Sequence, residues 1–146
     1  MKFQIVNRML RFIWIAPLLL AAEVSLAELV VIAHPSNPET SLSLDEAKKI
    51  FLGKTKSLPS GGTVTPIDQK HASAAKDNFY AMVAGMNRSQ MARYWAKLVF
   101  SGKGAPHAME VDDLHVRSRI ASNPRSIGYV DSSVVNDSVK VLLTIR

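Results

Sequence analysis

The segment Leu42–Phe79 carries the signals of a helix, a strand and a second helix, separated by short polar turns. Ser43 is a suitable N-cap residue, and two acidic residues follow in the first turn, where they face the positive end of the helix dipole. Gly53 stands where a C′ glycine commonly ends a helix. Apolar residues recur at helical spacing in between, so the pattern predicts a helix over Leu42–Leu52.

A strand and a polar turn follow this helix. Thr63–Ile67 is β-branched apart from its proline, and Pro59–Gly62 before it has the composition of a turn. Asp68–Ala75 is polar and rich in small residues, and it leads into a helix predicted over Ala72–Met86. A strand, a polar turn and a helix N-terminus in succession form a common geometry for holding an anion.

The rest of the chain completes an α/β pattern. Leu29–Ala33 is a continuous apolar run, which is typical of a strand buried on both faces. A strand, helix and strand in this order predict a right-handed crossover and parallel pairing, provided that the two strands share a sheet. Further helices are predicted over Ser89–Phe100 and Val111–Ala121 and strands over Ile127–Val130 and Val139–Ile145, the last with Val139, Val141, Leu143 and Ile145 on one face. The order β-α-β-α-α-α-β-β indicates one layered α/β domain.

Residues 1–27 have the composition of a secretory signal peptide. Three basic residues precede the apolar run Phe12–Ala22, which is too short to span a membrane, and small residues precede Glu28. The sequence therefore predicts a cleaved signal peptide over 1–27, one domain over 28–146 and a periplasmic location.

Charge and cysteine content narrow the classes of function. The formal net charge is +6 at pH 7, and three of the basic residues lie in the leader, so the domain is only mildly basic. This charge suits a small anionic ligand or an acidic surface better than nucleic acid, which calls for a strongly basic face. The chain has no cysteine, so it forms no disulfide and carries no thiol chemistry.

The residue patterns predict neither an enzyme nor a metal site. The four histidines are not spaced as the close pairs that zinc sites use. A nucleophile elbow of the form G-x-S-x-G is absent, and the paired carboxylates Asp112 and Asp113 are adjacent, so they face apart on a helix. We therefore expect no catalytic residues, no metal and no cofactor.

Several short motifs, in order and at similar spacing, resemble the phosphate ABC transporter substrate-binding protein family, within the type II periplasmic-binding-protein superfamily. The matching pieces are Asn37-Pro38, Ile50–Lys54 (IFLGK), Pro59 with Gly61, Thr65–Ile67, Phe79, Trp95, Phe100–Gly102 and Asn123–Val130 (NPRSIGYV). The resemblance implies a periplasmic-binding-protein-like α/β fold, with a mixed, mostly parallel sheet flanked by helices. Family members clamp a ligand between two lobes, and this chain has the length of about one.

The resemblance also identifies a ligand loop and its departures. The family's phosphate loop is a GSGT run followed by a basic residue, and the aligned residues here are Ala72–Lys76, with the sequence ASAAK. Ser73 keeps a hydroxyl, Ala75 replaces the threonine, and Ala72 and Ala74 replace the two glycines, which lowers the freedom of the backbone to wrap an oxyanion. Lys76 keeps the charge without the planar fork of arginine.

Four residues are therefore candidates for binding phosphate or a related oxyanion. Ser73 and Lys76 lie at the start of a helix, and Ser36 and Asn37 follow the first strand, where open α/β sheets often place ligands. The plain alternatives are an ordinary N-cap with a solvated lysine for the first pair, and simple turn chemistry for the second.

Two functions remain open at this stage. The first is a periplasmic solute-binding-like protein that binds phosphate or another oxyanion without covalent chemistry and works with an ABC permease. The second is a degenerate single lobe without solute binding, which acts as a protein-interaction or sensory accessory with a membrane sensor, or as a homodimer.

Overall fold

The structure, a computed structural model, describes residues 28–146; the predicted signal peptide lies outside them. Nine helices and strands follow one another in these residues. They are β1 Leu29–Ala33, α1 Leu44–Phe51, β2 Thr65–Gln69, α2 Ala74–Ala84, α3 Arg88–Phe100, β3 Ala108–Glu110, α4 Asp113–Ser122, β4 Ser126–Asp131 and β5 Lys140–Ile145, with a 3₁₀ turn at Ser132–Val134 after β4. Within residues 28–146, no helix has the length and apolar character needed to cross a membrane.

The nine elements form a mixed α/β domain around one sheet of strand order β3-β2-β4-β1-β5. All the predicted helices and strands are confirmed, with boundary shifts of a few residues. The strand β3 was not predicted, because it has three residues, all at least partly exposed, and therefore no apolar alternation. It pairs in parallel with β2 and forms one edge of the sheet.

The predicted parallel direction of β1 and β2 is wrong. β1 pairs antiparallel with β4 and β5, whereas β2 pairs parallel with β4 and β3, so β1 and β2 run in opposite directions with β4 between them. Long non-helical segments, 34–43 and 52–64, flank α1. They bring the chain back to the end of the sheet at which β1 stops, and β2 begins there. The sheet thus has two parallel and two antiparallel pairings.

The sheet is covered on both faces, as expected for the apolar run of β1, whose five residues are all buried. One face packs under α1, α2 and α3 with an aromatic cluster at its centre, in which Phe79 and Tyr129 stack at a centroid distance of 3.9 Å. The other face carries a smaller core under α4, including Val116 and Ile120.

The predicted face of β5 is interrupted. Val31 pairs with Leu143 and Ile32 pairs with Val141, which leaves Leu142 as a bulged residue without a partner in β1. Because of the bulge, Leu142 enters the core and Val141 is 39% exposed. The expected alternation of four apolar residues on one face is therefore wrong in the middle of the strand.

Candidate functional site

The polar turn after β2 closes into the N-terminus of α2. Ser73 is the N-cap residue, and its hydroxyl accepts a hydrogen bond of 3.1 Å from the Lys76 amide, while its carbonyl accepts one from the Asp77 amide. A helix leaves its first amides without partners inside the helix. At this helix the amides of Ala74 and Ala75 have no protein acceptor among residues 28–146. Two backbone donors are therefore free at the positive end of the α2 dipole.

The backbone before the cap is unusual for its sequence. Ala72 has a φ angle of 65° and is the one non-glycine residue of the described chain with a positive φ. The left-handed conformation is unfavourable for a residue with a Cβ atom, by roughly 1–2 kcal/mol. Ala72 occupies the first glycine position of the resembling loop, so the turn adopts a glycine-like conformation although the glycine is missing.

Lys76 does not extend into solvent, so the alternative of a solvated lysine is wrong. Its side chain is 11% exposed, and its Nζ atom lies 3.4 Å from the Oδ2 atom of Asp68, whose side chain is 4% exposed. The Nζ atom also lies 3.9 Å from the Sδ atom of Met109, a weak acceptor. The charge that the sequence offered to an anion is thus already paired with a buried carboxylate.

Asp68 is the centre of this polar network. Its Oδ2 atom accepts a hydrogen bond of 2.7 Å from the Tyr80 hydroxyl, and its Oδ1 atom accepts bonds from the Tyr129 hydroxyl and, at 2.9 Å, from the Gln69 amide. Burial, followed by the charge of Asp68, raises the pKa of both tyrosines well above its usual value, so both hydroxyls stay protonated donors. The carboxylate therefore has donors on both oxygens.

Asp68 is not among the candidate residues predicted from the sequence. A signal was present, since an acidic residue at the carboxyl end of a buried strand, directly before a polar turn, needs a partner. Lys76 stands eight positions further on and supplies it.

A cavity of about 270 Å³ opens beside this network, between α2, α3 and β3. Its polar lining comes from Asp68, His71, Lys76, Asp77, Tyr80, Asn87, Arg88 and His107. Its apolar lining comes mainly from methionine and tryptophan side chains, namely Met86, Met91, Trp95 and Met109, with Ala92.

His107 lines the same cavity and is held by its neighbours. Its Nε2 atom lies 2.8 Å from the Phe51 carbonyl oxygen, and because a carbonyl only accepts, Nε2 carries the proton. The ring packs edge to face against Trp95 at a centroid distance of 5.0 Å. Burial lowers the pKa of His107 below its ordinary value, which favours the neutral imidazole.

Ser36 and Asn37 lie far from this cavity in the topology. The Ser36 hydroxyl is 2.7 Å from His34 Nδ1 and is exposed. Asn37 is buried, its side-chain oxygen accepts a hydrogen bond from the Glu39 amide, and its carbonyl accepts one from Lys140.

The register of the sheet explains the separation. The end of β1 pairs through Ala33 with Ile127, and Ile127 pairs with Pro66 at the start of β2. Ser36 and Asn37 therefore lie at the end of the sheet where β2 begins, whereas Ser73 and Lys76 lie at the end where β2 stops. The structure brings Ser73 and Lys76 together and places Ser36 and Asn37 at the opposite end of the strands.

Metal ligation finds no support in the described residues. Between residues 28 and 146, no three His, Asp or Glu side chains are grouped so that they could hold a metal ion.

Comparison with solved structures identifies the fold. A phosphate ABC transporter substrate-binding protein from Clostridium perfringens, solved with bound phosphate, matches at 20% identity and a TM-score of 0.62, over 80% of this chain and 44% of that one. An ABC-type phosphate transport receptor from Vibrio cholerae matches at 15% identity and a TM-score of 0.62, over 80% of this chain and 45% of that one. PstS from Borrelia burgdorferi matches at 15% identity and a TM-score of 0.59, over 80% of this chain and 46% of that one.

The domain therefore has a periplasmic-binding-protein-like fold, as the sequence predicted. The chain spans less than half the length of these three proteins. No protein-family model matches the sequence. A search of curated proteins gives no match either.

Proposed function

We propose that this chain is a non-enzymatic, solute-binding-like module that holds phosphate or a related oxyanion at the start of α2. The anion would accept hydrogen bonds from the free amides of Ala74 and Ala75 and from the Ser73 hydroxyl, which keeps its own proton to donate. The observation that carries the proposal is the pair of unpartnered amides behind the left-handed turn at Ala72. The likeness to a structure that contains bound phosphate supports the choice of ligand class.

Lys76 has a smaller part in this proposal than the sequence suggested. Its ammonium is paired with Asp68, so it reinforces the positive end of α2 rather than offering a free charge. We therefore expect millimolar rather than micromolar affinity for phosphate, because the ammonium of Lys76 is already paired with a carboxylate.

Calorimetry with phosphate and sulfate tests the proposal, and a second N-cap gives a matched control. Ser73→Ala should abolish the heat of binding, because it removes the hydroxyl donor from the site. Ser43→Ala removes the N-cap of α1 in the same way, with a similar loss of stability, and should leave anion affinity unchanged. Equal effects of the two substitutions on affinity, or no binding by the unchanged protein, would remove the proposal.

We place the module in the periplasm, with residues 1–27 as its cleaved leader, and expect an ABC permease as its partner. The support is the composition of the leader and the fold shared with transporter-linked proteins. Fractionation of cells that express the full chain would test the location, with cleavage before Glu28 read by mass spectrometry.

A second function is favoured by the buried ion pair and by the placement of Ser36 and Asn37. If the pairing of Lys76 removes anion binding altogether, the module is a degenerate lobe that acts through protein contacts, as a homodimer or with a membrane sensor. This alternative predicts a protein without affinity for oxyanions that forms a dimer or a complex. A monomer that binds neither phosphate nor a permease or sensor would contradict this alternative.

A further inference from the structure

The cavity between α2, α3 and β3 differs in chemistry from the free amides at the start of α2. We propose that it is a binding site for a small, neutral, largely apolar molecule that carries one hydrogen-bond acceptor, which meets the Lys76 ammonium. The proposal does not require oxyanion binding, although the two sites share Lys76 and the turn at Ala72.

The size and walls of the cavity suit a compact ring. An engineered apolar cavity of about 150 Å³ is enough to bind benzene, and this cavity measures about 270 Å³. Met86, Met91 and Met109 line it with flexible, polarisable side chains that adapt to a ligand, and Trp95 adds a flat aromatic wall.

Lys76 is a buried donor in the polar lining that is not fully used. An ammonium has three N–H groups, and the contacts of Lys76 Nζ within residues 28–146 are Asp68 Oδ2 at 3.4 Å and the thioether of Met109 at 3.9 Å. Both contacts are long, and a thioether accepts only weakly. A buried donor gains from a proper acceptor, so a carbonyl or hydroxyl oxygen in the cavity would complete the coordination of Nζ.

The charges around the cavity favour a neutral ligand. Lys76 is paired with Asp68, and Arg88 Nε donates to Asp77 at 3.2 Å, so the four charged groups balance. His107 is held as a neutral imidazole by burial and by its bond to a carbonyl. A carboxylate would add a second negative charge beside Asp68, and an ammonium would add a positive charge beside Lys76.

Three compounds built on the same six-membered carbon ring test the charge preference: cyclohexanone, cyclohexanecarboxylate and cyclohexylammonium. The full chain is labelled with ¹³C at the methionine methyl groups and titrated with each compound by NMR. Met86, Met91 and Met109 report on the cavity. Met82 in α2 is 43% exposed and does not line the cavity, so it is the internal control. We expect saturable shifts of the three cavity methyls with cyclohexanone, and binding about tenfold weaker for both ions.

Two substitutions on one helix complete the test. Ala92 lines the cavity, whereas Ala96, one turn further along α3, is exposed outside it. Ala92→Leu should fill the cavity and abolish the cyclohexanone shifts, and Ala96→Leu should leave them unchanged. Absent shifts at the three methyls, equal binding of the carboxylate and the ketone, or unchanged binding by Ala92→Leu would each overturn the proposal. A protein that fails to bind phosphate can still pass this test.

Discussion

The Oδ2 atom of Asp68 lies 3.4 Å from the Nζ atom of Lys76, and both side chains are almost fully enclosed. The pair joins the end of β2 to the first turn of α2, directly beside the amides proposed to hold an anion. The pair anchors the start of α2 to the sheet. It also neutralises the Lys76 ammonium, which the sequence alone would assign to binding the ligand.

Breaking this pair from one side should be costly. Lys76→Met keeps an unbranched side chain, one atom shorter, but leaves the Asp68 carboxylate buried with no countercharge, so we expect a loss of about 3–5 kcal/mol in the free energy of unfolding. The double variant with Asp68→Asn should recover part of that loss. Lys49→Met, which breaks an exposed pair with Asp45, is the control and should change stability little. Urea unfolding measures all three, and a small effect of Lys76→Met would contradict the ion pair.

The hydroxyl of Tyr129 should matter more than that of a tyrosine outside the network. Tyr129→Phe keeps the ring stacked on Phe79 but removes a donor to a charged acceptor, which should lower the free energy of unfolding by about 1.5–3 kcal/mol. Tyr94→Phe removes a bond of 2.6 Å to the neutral Leu52 carbonyl and should cost about 1 kcal/mol. Equal losses in thermal or urea unfolding would argue against a charged Asp68.

Replacing Ala72 by glycine should stabilise the protein. The left-handed conformation costs a residue with a Cβ atom roughly 1–2 kcal/mol, and the extra freedom of glycine in the unfolded chain offsets about 0.5–1 kcal/mol of that gain. Ala81→Gly, at an exposed position inside α2, is the control and should destabilise by about 1 kcal/mol. If Ala72→Gly also destabilises, the turn before α2 is not left-handed in solution.

His107 should make the free energy of unfolding fall as the pH drops below about 6.5, the ordinary pKa of a histidine side chain. Because its pKa is lowered in the folded protein, the unfolded chain binds the proton first as the solution is acidified, and the folded state loses stability until the folded pKa is passed. Urea unfolding at several pH values measures the slope, and His107→Asn should make it shallower. A slope unchanged by that substitution would show that His107 is not buried as a neutral ring.

Local structure could be predicted from sequence because its causes are local. Ser43 and Ser73 both act as N-caps, the first in a full capping box with Glu46, and Gly53 adopts a φ angle of 71° after α1 as a C′ glycine should. These features depend on a few neighbouring residues.

The direction of the strands and the orientation of the Lys76 side chain depend on distant parts of the chain. The order of elements cannot report that β4 enters the sheet between β1 and β2, which makes those two strands antiparallel. Nor can the position of Lys76 at a helix start report whether its side chain faces solvent or Asp68, because that follows from the packing of α2 on the sheet. The position of Ser73 and Lys76 at the start of α2 was thus predictable, but the pairing of Lys76 with Asp68 was not.

An NMR titration of the ¹⁵N-labelled protein with phosphate tests the central claim most directly, because each backbone amide is its own reporter. We predict saturable shifts that are largest at the amides of Ala74 and Ala75, with little change at Ser36 and Asn37, and loss of the shifts in Ser73→Ala. Unchanged amides at Ala74 and Ala75 up to high millimolar phosphate would contradict an anion site at the start of α2.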